Sequence, residues 1–326
     1  MPEERSATMA GSPGTVLARL FAWATVAATI IFLANAYLTF WRGWPGGGGE
    51  GSLAALQLGL YGLAILVPLV HVLRSRGAGA RADVAILTAL ASFVVRWAFW
   101  AVLLVGLADT LISFLRVEQF LEPLVGVQLT QDLGRSQFRA PMVHLPLIVL
   151  SLLIALVTRG ATFIWLALLV VLAELLIVLS RFIFSYEQAF MGDLVRFWYG
   201  ALFLFASAYT LVEDGHVRVD VFYAAFSQRR RAIVNAVGSV ALGMVLCWTI
   251  LVLGMSNQAS TIVGPLLTLE ITQSGFGLYV KYLMAGFMGV FAVSMMFQFA
   301  SYFLESIADW RDEPGARPPP SPPPAT

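Results

Sequence analysis

Eight apolar runs constrain this chain more than any other feature, because each is close to or above the length of a membrane-crossing helix. They lie at 16–40, 53–73, 84–108, 142–158, 161–181, 194–212, 232–255 and 279–305. The hydrocarbon core of a bilayer takes about 20 mostly apolar residues to cross as an α-helix. The expected fold is therefore an all-α polytopic membrane protein with about eight transmembrane helices. The fourth run is short and begins at Pro141, with Pro146 in its first turns. A prolyl ring removes a backbone donor and bends a helix, so this span is the least regular of the eight. Nothing between the runs is long enough for a separate soluble domain.

Composition agrees. The 326 residues are 59% hydrophobic and 12% charged, with a mean hydropathy of +0.81; soluble domains carry roughly 25% charged residues. A net charge of +1 gives no field that would recruit nucleic acid. The one cysteine, Cys247, lies in an apolar run, so no intramolecular disulfide and no cysteine-based metal spacing is available. The first run contains Ala34-Asn35-Ala36, which imitates a signal-peptidase site. It continues through "YLTF" to Trp41, longer than the usual signal core, and reads as a retained span.

Arginine asymmetry sets the expected orientation. With the N-terminus inside, twelve basic residues fall on the cytoplasmic side and seven on the other, with Arg96 inside the third span. The clusters "RSRGAGAR" and "SQRRRA" both fall on the cytoplasmic side, giving an N-in, C-in arrangement. Trp41, Trp44, Phe197, Trp198, Tyr199, Tyr279 and Tyr282 are then expected in the outer aromatic belt. The connection "SFLRVEQFLEPLVGVQLTQDLGRSQFRAP" reads as a partly amphipathic segment lying along the interface. The proline-rich end "EPGARPPPSPPPAT" reads as a disordered or polyproline tail.

Catalytic signatures are missing from the sequence. It has no Gly-rich phosphate loop, no Gly-x-Ser-x-Gly elbow and no His-Glu-x-x-His helix. Bis-histidine haem needs two imidazoles at similar depth. His71 and His216 are expected at the inner edge and His144 at the outer, so no pair forms within the bundle. Two charges stand deep in spans: Arg96 in the third and Glu174 in the fifth. Isolated charges at that depth cost several kcal/mol and usually pair or line an aqueous path. An Arg96–Glu174 pair is the leading reading, with an ion or substrate path, separate snorkelling or contact with another subunit as the alternatives. Asp109, near the outer end of the third run, can reach the interface and needs no special role.

The densest charge is in "EDGHVRVDV", residues 213–221. Alternation of His216, Arg218 and Asp220 with valines suggests an extended segment with one wet face. Arginine is no metal ligand, so the pattern is not a metal site. Its bland reading is an inner-leaflet hinge whose charges pair with one another and with lipid headgroups. The surrounding stretch "LSRFIFSYEQAFMGDLVRFWYGALFLFASAYTLVEDGHVRVDVFYAAF", residues 179–226, resembles the small permease (Q) subunits of TRAP, or tripartite ATP-independent periplasmic, transporters. The elements that carry the resemblance are Arg181, Asp193-Leu194 and Gly215-His216-Val217-Arg218-Val219-Asp220, followed by Arg229 to Arg231. It covers roughly 161–310.

This resemblance implies a long-form small permease. Residues 1–15 form a cytoplasmic N-terminus, 16–158 an extension of about four spans, 159–310 the small-permease core, and 311–326 the tail. It further implies a non-enzymatic subunit of the bacterial inner membrane that scaffolds a large permease (M) subunit. A periplasmic substrate-binding protein would deliver an organic anion such as a carboxylate. An ion gradient would drive uptake, with the coupling sodium in the large subunit and no cofactor here. Arg181, Asp193, Gly215, His216, Arg218 and Asp220 become family-motif and interface candidates, while Glu187 and Glu270 in outer loops become docking candidates. Small-residue patches "GALFLFASA" and "GSVALG" would let helices approach closely, toward a partner or within the chain.

Overall fold

A computed structural model describes residues 12–159, 163–186, 189–212, 223–272 and 277–316. The helices are α1 (Pro13–Arg42), α2 (Ser52–Arg74), α3 (Ala80–Val117), α4 (Leu121–Val125), α5 (Val127–Leu133), α6 (Ser136–Arg139), α7 (Leu145–Val157), α8 (Phe163–Phe184), α9 (Ala189–Val212), α10 (Gln228–Gly238), α11 (Val245–Gly254), α12 (Val263–Thr268) and α13 (Lys281–Trp310). Short π-helical turns join α6 to α7 at Ala140–His144 and α10 to α11 at Ser239–Met244. With those junctions counted, eight helices among the described residues are long and apolar enough to cross a membrane. They coincide with the eight runs.

Local chemistry sets the ends. At the start of α1 the Ser12 hydroxyl accepts from the Thr15 amide, and Pro13 takes the first helical position, where its missing N–H costs nothing. Gly43, at φ 69°, ends α1 in the left-handed conformation that glycine adopts without a Cβ clash. Between α6 and α7, Pro141 and Pro146 disturb the α-helical ladder, and the Leu145 amide bonds to the Ala140 carbonyl in a π turn. The expected bend is thus taken up as a wider turn in a continuous span.

The centre of the bundle is an antiparallel pair, α3 against α13, with α9, α10, α11 and α1 packed around α13. α2 packs on α1 and α7 on α3. The 38 residues of α3 give a length of about 57 Å, far more than the roughly 30 Å hydrocarbon core. Its ends therefore extend past the apolar layer. Polar contacts hold one register along the pair: Arg81 to Asp309, the Thr88 hydroxyl to the Ser301 hydroxyl at 2.8 Å, and Asp109 to the Tyr279 amide. Gly106 lets α9 close on α3, because a Cβ there would lie 2.5 Å from Nε1 of Trp198.

The small-residue patches are used within the chain. Ala201 and Ala208 are buried in the core, and a Cβ on Gly243 would meet the Phe299 ring at 2.7 Å. The expected aromatic belt is only partly present. Trp41 and Tyr199 are exposed, but Phe197, Trp198, Tyr279 and Tyr282 are buried. Their rings fill the space between helices or carry hydrogen bonds there, so hydrophobic packing outweighs the interfacial preference.

Candidate functional site

The described polar side chains concentrate at the two ends of the bundle, named here for Arg19 and Tyr279. At the Arg19 end, buried Arg19 and Asp83 form an ion pair at 2.7 Å. Arg19 also donates to the Ser75 and Ala78 carbonyls and to the Ser75 hydroxyl. His71 Nε2 lies 3.3 Å from Asp83, and the His71 ring packs against Trp23 at 4.8 Å. Glu313, beyond α13, caps the start of α3 by accepting from the Ala80 and Arg81 amides. Gly79 makes this approach possible, since a Cβ there would lie 2.6 Å from the Glu313 carboxylate.

At the Tyr279 end, the connection expected to lie on the interface folds as α4 to α6 and buries Leu121, Leu133, Ser136 and Arg139. Asp109 is fully buried, contrary to the expectation that it reaches the interface. One of its carboxylate oxygens accepts from Arg139 Nη1 at 2.8 Å and faces His144 Nε2 at 3.0 Å. The other accepts from the Tyr279 amide at 2.7 Å. A carboxylate can only accept, so Nε2 of His144 carries a hydrogen, and in the neutral ring Nδ1 accepts from the Tyr282 hydroxyl at 2.7 Å. Arg139 also lies 4.1 Å over the Tyr279 ring, a cation–π contact. Residues five apart in an α-helix diverge by about 140° around the axis. The wider π turn reduces that divergence, so Arg139 and His144 both reach Asp109.

Asp193 does the matching work from α9. It is buried, pairs with Arg196 at 3.3 Å, and accepts from the Thr272 hydroxyl and the Leu278 amide. Consecutive amides at 278 and 279 are thus held by carboxylates from two helices, Asp193 and Asp109. Beside them a cleft of about 430 Å³ is lined by Asp193, Arg196, Glu270, Thr272, Lys281 and Met284 among others. Glu270 pairs with Lys281, and both side chains are half exposed. This charged rim on an apolar-floored cleft is the candidate docking feature at the Tyr279 end.

The remaining candidates are dispersed. Arg181 is exposed in the last turn of α8. Glu187, Gly215, His216, Arg218 and Asp220 lie outside the described residues. Arg96 Nε donates to the Ala155 carbonyl at 3.4 Å and its guanidinium lies 5.8 Å from the Phe93 ring centre. Glu174 is exposed on α8. No ion pair among the described residues joins the two: Arg96 turns to α7, while Glu174 faces away from the bundle. Asp109, Arg139 and His144 are the residues that sequence reasoning missed. Their one legible signal was an acid at the end of an apolar run together with the proline-flanked Arg139–His144 segment.

These features define a polytopic helical membrane protein whose last helix is clamped at both ends. Residues 168–309 match the family model described as "Tripartite ATP-independent periplasmic transporters, DctQ component". Over residues 168–309, a little under half of the chain, the protein is therefore similar to the small permease component of TRAP transporters, and the spans before that stretch fit a long form. No curated protein and no solved structure gives a match.

Proposed function

We propose that this protein scaffolds the large permease subunit of a TRAP transporter and helps to dock a periplasmic substrate-binding protein during uptake of organic anions of the carboxylate class. The observation that carries this reading is the family match over the last four spans. In this reading an ion gradient, with sodium as the coupling ion, acts in the large subunit, and this chain has no catalytic role and no cofactor. The arginine bias supports an N-in, C-in arrangement in a bacterial inner membrane. That orientation puts the Asp193–Glu270 cleft on the periplasmic side, where a binding protein would dock, together with the loop containing Glu187. The extension supplies α3, whose pairing with α13 supports a stiffening role for the core.

Affinity purification from native membranes in mild detergent tests this. Recovery of a much larger hydrophobic partner is the expected result. Substrate uptake by the purified chain alone would instead indicate a self-contained secondary transporter, and a haem spectrum a redox-enzyme anchor. For docking, charge reversal at Glu270 should weaken binding-protein association and uptake; unchanged docking and uptake would remove that role.

A further inference from the structure

Helix α8 is the least enclosed of the eight spans: only 11% of its most apolar stretch is buried, chiefly Leu166 and Ala173, and it packs on α9. Its outward side carries exposed Ile164, Leu168, Val171, Leu175, Val178 and Phe182. In the middle of this surface stands Glu174, the one acidic residue of the 22-residue helix and exposed. It lies about 17 Å along the helix from Phe163, which is mid-bilayer depth for a crossing segment. Among the described residues it has no hydrogen bond or ion pair. Arg181 is exposed two turns further on, along the same edge, because positions seven apart in an α-helix nearly align.

We infer that the Glu174 edge of α8 is the seat of a transmembrane helix of the large permease subunit that presents a lysine or arginine at mid-bilayer depth. This rests on the functional reading above. Hydrocarbon offers a carboxylate no donor, and ionisable groups within spans therefore face protein or water and pair there. Leu, Ile, Val and Phe around Glu174 provide the apolar area, and the carboxylate fixes register and partner, as buried polar groups do in helix pairs. A symmetric pairing of two copies through this edge would bring two Glu174 side chains together, placing like charges in a medium that screens them poorly. The occupant is therefore a different chain of opposite charge.

The test uses the full transporter assembled in membranes. In E174L the helix becomes more apolar, so insertion is not impaired, yet recovery of the large subunit with this chain should fall about tenfold or more. E174K should lose at least as much. Thermal unfolding of the isolated E174L chain in detergent should match wild type, which separates lost contact from lost fold. Cysteines placed at Val171 and Val178, with buried Cys247 left in place, should cross-link to the large subunit. Full recovery with E174L, or cross-links only to a second copy of this chain, overturns the inference and leaves the functional reading intact. If the wild-type chain brings down no large hydrophobic partner, both fall.

Discussion

Asp109→Asn keeps the size of the side chain but removes the charge that faces Arg139, leaving a guanidinium fully buried without its counter-ion. Breaking a buried pair in this way costs about 3–5 kcal/mol. Thermal unfolding in detergent should show that loss, and Asp109→Asn with Arg139→Met should recover part of it. Tyr282→Phe removes the donor to His144 Nδ1, and a buried acceptor left unsatisfied costs about 1–3 kcal/mol. Asp193→Ala should have a local effect instead: Thr272 and Leu278 each lose a bond, so the Leu278 amide should exchange faster while the rest of the chain keeps its protection. Asp193 was legible in the sequence as a marked residue through the resemblance. What it grips was not, because its partners are 79 and 85 positions away and one of them is a backbone amide. The position of Asp109 was legible but its role was not, since an acid near the end of an apolar run is ordinarily an interfacial residue.

At the scale of elements, the decisive unit is the α3–α13 pair. The apolar run at 84–108 identified a crossing helix, but its true extent, Ala80–Val117, comes from caps and contacts beyond the greasy stretch. Glu313 caps it from the far end of the chain, and Glu313→Ala should cost about 0.5–2 kcal/mol, the range for losing an N-terminal cap. Gly106→Leu should separate α3 from α9, because the added side chain meets the Trp198 indole. Thermal unfolding in detergent should show the loss, and Gly106→Leu with Trp198→Ala, which removes the indole that the new side chain meets, should recover part of it. The aromatic belt shows why element placement from sequence misleads. Composition says that a ring sits near a helix end, whereas only packing decides whether it turns toward lipid or toward a neighbouring helix.

For the whole molecule, the matched region begins inside α8, yet its last helix is clamped by residues of the extension at both ends: Arg81 near Asp309, and Asp109 at Tyr279. The two halves should therefore associate when cut. Co-expression of residues 1–159 and 160–326 as separate chains should give a complex that co-purifies, and Asp109→Asn in the first should weaken it. Expressed alone, 160–326 should be unstable in detergent, since the face of α13 that α3 covers would be bare.

The number and approximate position of the spans, the membrane class and the family likeness of residues 168–309 were determined by the sequence alone. Apolar length is a local property, and the family motif is carried by near neighbours in the chain. Tertiary structure alone decided that Asp109, Arg139 and His144 form one buried cluster, that Tyr279 and Tyr282 point inward, and that Arg96 and Glu174 part company. Each of those outcomes depends on how helices are rotated and paired. In a membrane that rotation follows from close packing and from the need of every buried polar group for a partner, and the partners here are separated by tens to hundreds of residues along the chain.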